Sequence, residues 1–523
     1  MKVDVTVIGS GFAGSILAWI LAASGRSVIL LDRSKHPRFA IGESSTPIAD
    51  TILKRLGQKY ALKPLEDLSC WGTWQQTNPE LPCGRKRGFS YLAHRTGERF
   101  QESELGERSL LVAASPTDFR SDTHWHRSTL DQFLCSNAVQ AGVIDRTGYE
   151  ITEISQCELD VVHTGSAYKI RCAAVQGVFN DAVHGSATPT GEMDVGMEST
   201  HHDAAAEISH KGSIEDVFEL KTTWIVDASG ASGSLSKFFS VQDRTCQLKT
   251  RTHAWFAHFK GVKPWAEIVN ASRRVDFENP FSADDAAQHH LLHDGWMWML
   301  RFNQGVTSVG YTTTVDMPLV DLNVLKTRYP SLGDLFGAAE CVAPTSGIVR
   351  TKRLQKWLAP VVSPRCVMLP TASLTLDPLH STGIAHALAG VERLAPLILS
   401  SNDCVEEIAR YGEVLNKEAR FLDQLVQMAY RNLSRFDHFT VACMVYFAAA
   451  IRCEETYQSG LTPSHLWNAC DDDFCDFVHW VDTVLDRADQ VMFDEIRHRM
   501  ERWNTAGLMD SGVSNRYAYT ATK

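Results

Sequence analysis

Met1–Asp32 (MKVDVTVIGSGFAGSILAWILAASGRSVILLD) is the stretch whose reading decides the fold. Val3–Ile8 is a short β-rich run. It meets Gly9-Ser10-Gly11-Phe12-Ala13-Gly14 and then an apolar, helix-like stretch through Ala23, which Ser24-Gly25 brings to an end. Ser27–Leu31 reads as a second buried strand closing at Asp32, and together these make a βαβ unit. Each glycine has a physical task. Gly9 permits a tight strand-to-helix turn, Gly11 lets the backbone approach a pyrophosphate, and Gly14 allows close helix–strand packing. The free N–H groups and positive dipole end of the helix then face the phosphates. Asp32 stands 18 residues beyond Gly14, where a carboxylate accepts from ribose hydroxyls. The expected ligand is a dinucleotide, and the glycines alone do not separate NAD from FAD.

Length and charge bound the rest. A chain of 523 residues with 44% hydrophobic content has room for two or three lobes around large cores. Its net charge of −11 argues against nucleic acid or an anionic membrane as the main partner, because a phosphate-binding face must be basic. No basic stretch with a cleavage site precedes the first strand, so a cytoplasmic location is expected. The 13 cysteines are scattered, no C-x-x-C occurs, and the closest spacing is Cys470 to Cys475. They read as reduced thiols, with neither a disulfide framework nor a metal site. The longest apolar run, Val441–Ile451, falls short of the ~18 residues a bilayer span needs. It suits a buried helix, a dimer face or a pocket wall, and no transmembrane segment is expected.

Further along, CWGTW at Cys70–Trp74 lies in an aromatic-rich region, and Arg127–Leu134 (RSTLDQFL) reads as helix. Ile144–Ile170 carries alternating, strand-like segments. Residues 175–213 are polar, aperiodic and rich in Gly, Ser and His, which reads as a flexible insertion; the pair His201-His202 within it reads as solvated loop histidines. Trp224–Val226 is a strand ending at Asp227-Ala228-Ser229-Gly230, a composition that also suits an ordinary turn. Asp377-Pro378-Leu379-His380-Ser381-Thr382-Gly383-Ile384 is a turn feeding a helix, with capping hydroxyls and free N–H groups suited to an anion or the pyrimidine edge of a flavin. Pro396 is expected to end or kink that helix.

These residues together resemble the flavin-dependent halogenases, within the wider superfamily of single-component flavoprotein monooxygenases. The glycine fingerprint, with Phe12, Ala13, Asp32 and Arg33, is followed by Arg38–Pro47 (RFAIGESSTP), whose Gly42, Glu43 and Ser44 resemble the halogenase segment bordering the flavin. Arg127 sits where the superfamily has an FAD-contacting arginine, and Asp227 where it has a strand-end motif near the adenosine half. Asp377–Ile384 resembles the loop at the isoalloxazine. There the resemblance implies flavin contacts from Pro378, Gly383 and Ile384 and a halide site at Ser381, Thr382 and Gly383. Lys86, in Gly84-Arg85-Lys86-Arg87-Gly88-Phe89, is the best match to the family's essential lysine, whose ammonium hydrogen-bonds hypohalous acid or whose amine forms a haloamine. A solvated basic stretch is the alternative for Arg85-Lys86-Arg87.

Three departures stand out. Trp296-Met297-Trp298-Met299-Leu300-Arg301 keeps both tryptophans of W-x-W-x-I-P, a substrate-pocket motif, but replaces the isoleucine by Leu300 and the proline by Arg301. Pro370-Thr371 stands where many flavoproteins have Gly-Asp. His380 replaces the glutamate of tryptophan halogenases, which shifts the expected substrate from free tryptophan toward a phenol, with His380 as acid–base.

The resemblance implies an α/β protein with a Rossmann-like FAD-binding domain (residues 1–60, 108–174, 214–244 and 346–399), a β-sheet substrate domain (61–107 and 245–345) and a C-terminal helical region (400–523). It implies FAD used as FADH2, with O2 and halide as co-substrates, and a flavin hydroperoxide that yields hypohalous acid. Its implied partners are a small aromatic substrate, a separate flavin reductase and, for a tethered substrate, a carrier protein; a homodimer is compatible with the helical region. Hydroxylation by a flavoprotein monooxygenase of the same fold, on a small-molecule, carrier-bound or protein-bound aromatic, is the second reading. A flavin-binding protein without catalysis is the third.

Overall fold

The computed structural model describes residues 1–158, 166–175, 217–270, 279–400 and 404–518. All but one of the positions assigned to the insertion at 175–213, His201-His202 included, lie outside the described residues.

The opening βαβ unit forms as its sequence demands. Lys2–Ile8 pairs in parallel with Val28–Asp32 on one side and with Val217–Asp227 on the other. The sheet runs Val361–Ser363, Cys366–Met368, Val217–Asp227, Lys2–Ile8, Val28–Asp32, Ile144–Thr147, with Cys366–Met368 through Ile144–Thr147 parallel. A hairpin of Tyr149–Glu158 and Ser166–Ala174 adds antiparallel to the early part of Val217–Asp227. Helix Phe12–Ala23 is apolar all round and buries all but its last two residues, as a helix covered on every side must. It packs between the sheet and the helices Arg127–Gln140 and Thr382–Leu399.

A second sheet carries the strands Glu340–Ala343, Thr252–Lys260, Val306–Thr314, Gly295–Arg301, Ala286–Leu292, Gly88–Ala93, Ser109–Ala113 and Arg516–Tyr517 in that order. Side chains alternate across it with the strand period of two. Trp296, Trp298 and Leu300 face the main core, while Met297 and Met299 face a separate core with Trp255, Val309 and Tyr311. Gly310 leaves the room Trp298 occupies, since a Cβ there would stand 2.0 Å from the indole.

Helices Val405–Arg431, Phe436–Gln458, Asp472–Val484 and Gln490–Met500 close the molecule. By length and composition Phe436–Gln458 is apolar enough to cross a membrane, and 83% of that apolar window is buried inside the protein. Glu418 ties the region to the rest. Its carboxylate takes a fork from Arg393 at 2.7 and 3.0 Å, faces His386 at 3.0 Å and accepts from the Leu466 N–H at 2.6 Å. Burial alone would raise its pKa, but Arg393 and His386 outweigh that and hold it at about 2.

Several boundaries differ from the sequence reading because pairing crosses them. Ser109–Ala113, placed by position in the first domain, pairs with Gly88–Ala93 in the second sheet. Val349–Arg350 pairs with Thr252–Lys260, and Arg516–Tyr517, within the expected helical region, extends the second sheet in parallel with Ser109–Ala113. CWGTW is part of a short helix, Trp71–Thr77. Pro396 is absorbed in the last turn of a helix that runs to Leu399.

The glycine fingerprint separates into two tasks. A Cβ on Gly14 would stand 2.0 Å from the Gly9 carbonyl oxygen, whereas one on Gly11 would meet only Arg127 and Asp131 side-chain atoms at 3.7 Å. Gly14→Ala therefore costs about 1–3 kcal/mol of stability through overpacking, read as a drop in the denaturant midpoint. Gly11→Ala leaves that midpoint within about 0.5 kcal/mol and lowers dinucleotide affinity instead.

Candidate active site

One cavity of ≈ 790 Å³ runs from the ends of the parallel strands to the face of the second sheet. That volume suits a large cofactor. One end is walled by Asp32, Arg33 and Ser34, by Tyr149–Ile151 and by the turn Ala228–Ser232. The other is walled by Pro378, Ser381–Ile384, Trp296 and Trp298. Between them lie Gly9, Gly11, Phe12, Ala13, Gly42, Glu43, Ser44 and Arg127. Most of the expected cofactor and pocket residues thus line one space. The open backbone at Gly11 fits the pyrophosphate of FAD, which these residues would hold.

Several of those side chains act on the protein rather than on the cavity. Asp32 accepts from the Ser10 N–H at 2.8 Å and the Ser34 N–H at 2.9 Å, and it pairs with Arg38 at 2.9 Å. Arg127 makes a two-pronged pair with Asp131, both arms at 2.8 Å, and donates to the carbonyls of Ile41 and Gly42 at 2.8 and 3.0 Å. It holds the Gly42–Ser44 segment against the first helix. Glu43 turns its carboxylate to the second sheet, facing His258 Nε2 at 2.6 Å and accepting from Ser308 Oγ at 2.6 Å.

Asp227 does not line the cavity. Its carboxylate accepts from the N–H groups of Ser229 and Leu235 at 2.9 and 2.8 Å, and burial raises its pKa. It is corrected from a cofactor contact to the organiser of the Ala228–Ser232 turn, which does line the cavity. Gly14 is likewise a packing residue.

His380 does not face the cofactor cavity. Ser381 adopts a left-handed backbone, φ +55 and ψ 33. The chain reverses there, so Ser381–Ile384 face the cavity while His380 faces the C-terminal helices. Its ring stacks on Tyr446 with centroids 4.0 Å apart, and Nδ1 lies 3.5 Å from the Tyr91 hydroxyl. Burial pushes its pKa down to about 3, so it is neutral at working pH and sits one layer behind the cavity wall.

Lys86 also stands behind that wall. Strand Cys83–Lys86 pairs with Asp122–Trp125, and Gly84 lies so close to the Arg301 carbonyl that a Cβ would stand 1.8 Å from it. The basic triplet divides. Arg85 and Arg87 turn outward to Asp118 at 2.7 and 2.5 Å, while Lys86 is wholly buried, donating to the Ser45 carbonyl at 2.5 Å with Nζ 4.0 Å from the Phe89 ring centroid. Phe89, Tyr446, Phe447 and Glu454 border a second, water-sized cavity of ≈ 30 Å³.

The departures at 301 and 371 resolve differently. Arg301 points away from the cavity, to Asp284 at 2.7 Å and to the carbonyls of Val262 and Lys263. Thr371 lines the cavity itself.

Sequence reading did not find Tyr430. From helix Val405–Arg431 its hydroxyl accepts from Trp296 Nε1 at 2.7 Å and donates to Asp377 Oδ2 at 2.8 Å; Thr252 Oγ1 donates to the same oxygen at 2.6 Å. Burial raises Asp377 to about 6 despite these donors. Nothing local marks a lone tyrosine in an amphipathic helix. His289, also missed, lines the cavity and belongs to the buried polar run Gln288-His289-His290 between apolar residues of one strand, a signal the sequence did carry.

Asp377 predicts a pH effect. Its folded pKa lies above the ordinary value, so the folded state holds the extra proton between about pH 4 and 6. The stabilisation is present below the unfolded pKa and is lost as pH rises through about 6. Tyr430→Phe removes a donor to the carboxylate and moves that loss to higher pH. The shift is read from stability against pH in parallel with wild type, and superimposable curves would refute it.

The FAD-dependent oxidoreductase family matches residues 4–176. Tetracycline 7-halogenase of Kitasatospora aureofaciens is 23% identical over 468 residues, 86% of this chain and 73% of that protein. Monodechloroaminopyrrolnitrin halogenase PrnC of Pseudomonas fluorescens is 22% identical over 458 residues, covering 85% and 68%. The crystal structure of halogenase PltM in complex with phloroglucinol and FAD superposes with a TM-score of 0.76 at 21% identity, covering 99% of both chains. The chain is thus similar to FAD-dependent oxidoreductases over residues 4–176, to flavin-dependent halogenases in sequence over most of its length, and to a halogenase in fold.

Proposed function

We propose that the chain uses reduced FAD, O2 and a halide to halogenate an electron-rich aromatic, phenolic in preference to free tryptophan, with Lys86 directing the halogen. The observation that carries this reading is the burial of Lys86 behind the wall of the cofactor cavity. Burying an amine that ionises in water costs several kcal/mol, and such groups cluster where chemistry uses them.

Bound FAD, reduced by a separate flavin reductase, supplies the oxygen chemistry that turns halide into hypohalous acid. The chain's own residues do the rest. Backbone N–H groups at the start of helix Thr382–Leu399, at Ser381–Gly383, hold the halide by hydrogen bonding and dipole. Trp296 and Trp298 fill the wall beside that helix start and keep a second ring out of the cavity. The Lys86 amine hydrogen-bonds hypohalous acid and presents the halogen to the aromatic substrate; the carbon–halogen bond forms as the halogen–oxygen bond breaks, and the ring proton leaves with the hydroxide as water. His380, neutral where tryptophan halogenases carry a carboxylate, offers no charge to stabilise an attacked indole, which favours a phenol.

Mass spectrometry of phenols, indoles and pyrroles incubated with the enzyme, a flavin reductase, O2 and bromide tests the reading. A gain of one bromine is expected, on phenols first; a gain of oxygen without bromine selects hydroxylation. Lys86→Met, close in volume, should cut bromination at least ~100-fold with FAD binding unchanged. Full bromination by that variant rejects the lysine assignment.

A further inference from the structure

Between the cofactor cavity and Lys86 stands His289. Its ring lines the cavity and is packed by aromatic rings, with centroids 4.5 Å from Tyr91 and 5.0 Å from Trp296. It lies 6.1 Å from the Phe89 ring, over which the Lys86 amine sits at 4.0 Å. The partition from cavity to amine is thus His289 and then Phe89. Nδ1 lies 3.2 Å from the Ser90 carbonyl; a carbonyl only accepts, so Nδ1 is assigned the proton.

An imidazole is an odd choice for this position. Its neighbours are aromatic, and a phenylalanine would fill the place without burying polar edges. Burial, the dominant influence, holds its pKa at about 3, so it adds no positive charge beside the lysine.

We propose that His289 is a positioning residue, the polar ring in the partition that passes hypohalous acid by hydrogen bonding from the cofactor cavity to Lys86. The role rests on the halogenase reading above. A wall made only of phenyl rings would offer hypohalous acid no hydrogen bond on the way and leave it to escape into solvent.

The test compares wild type, His289→Phe and His289→Asn as full-length, FAD-loaded protein. His289→Phe keeps the stacked ring and removes both nitrogens; His289→Asn keeps a polar edge. Each is treated with dilute hypobromous acid, and the surviving unmodified Lys86 peptide is quantified by mass spectrometry. In that reaction the N–Br bond forms, the Br–O bond breaks, and the amine proton leaves with hydroxide as water. His289→Phe should slow Lys86 loss at least tenfold relative to wild type, with exposed lysines such as Lys63 unaffected, and His289→Asn should recover part of the rate. In turnover with bromide, His289→Phe should release more hypobromous acid to an added trap per O2 consumed than wild type does. Equal Lys86 loss in wild type and His289→Phe overturns the role of His289 alone. A Lys86 that resists hypobromous acid in wild type overturns the lysine reading as well.

Discussion

Two buried carboxylates join the halves of this protein, and the cavity exists because of where they sit. Glu43 belongs to the segment after the first βαβ unit and Asp377 to the loop before helix Thr382–Leu399. Both reach the same strand of the second sheet, Thr252–Lys260: Glu43 through His258 and Asp377 through Thr252. A buried carboxylate left without donors costs several kcal/mol, so neither loop can drift from that strand cheaply. The strand is pinned near both ends, and the space between the sheets is fixed as a chamber.

The chamber has a third support from the end of the chain. Tyr430 draws Trp296 and Asp377 into one hydrogen-bonded set, and Glu418 locks helix Val405–Arg431 to helix Thr382–Leu399 through Arg393. The C-terminal helices are therefore part of the active-site frame. Their own aromatic residues, Tyr446 and Phe447, close the side of Phe89 remote from the cofactor cavity.

The βαβ unit was legible because its constraint is local. Gly9 and Gly14 must be glycines for reasons confined to one turn and its packing partner, and the residues that show it are adjacent in sequence. The W-x-W strand was legible for a similar reason, since period-two alternation survives in any half-buried strand. What sequence could not give was direction. His380 and Ser381 are neighbours, yet one left-handed residue puts them on opposite sides of a wall. Asp227 had the composition of a ligand contact and spends its carboxylate on its own turn. Tyr430 lies 53 positions from the Asp377 it serves, and only tertiary packing brings them together. Residues 176–216 lie outside the description altogether.

Lys86 shares its region with buried histidines and also with the buried carboxylate of Asp122, which stands opposite it where Cys83–Lys86 pairs with Asp122–Trp125. Burial is the first cause of the lowered pKa in His124, His289 and His380, each held at about 3. All three are neutral at any pH at which the protein works. Lys86 itself contributes to the lowering in His124 and His289, so amine and rings share one low-dielectric region. Neutral imidazoles can orient and hydrogen-bond a small polar molecule without pairing with it as ions.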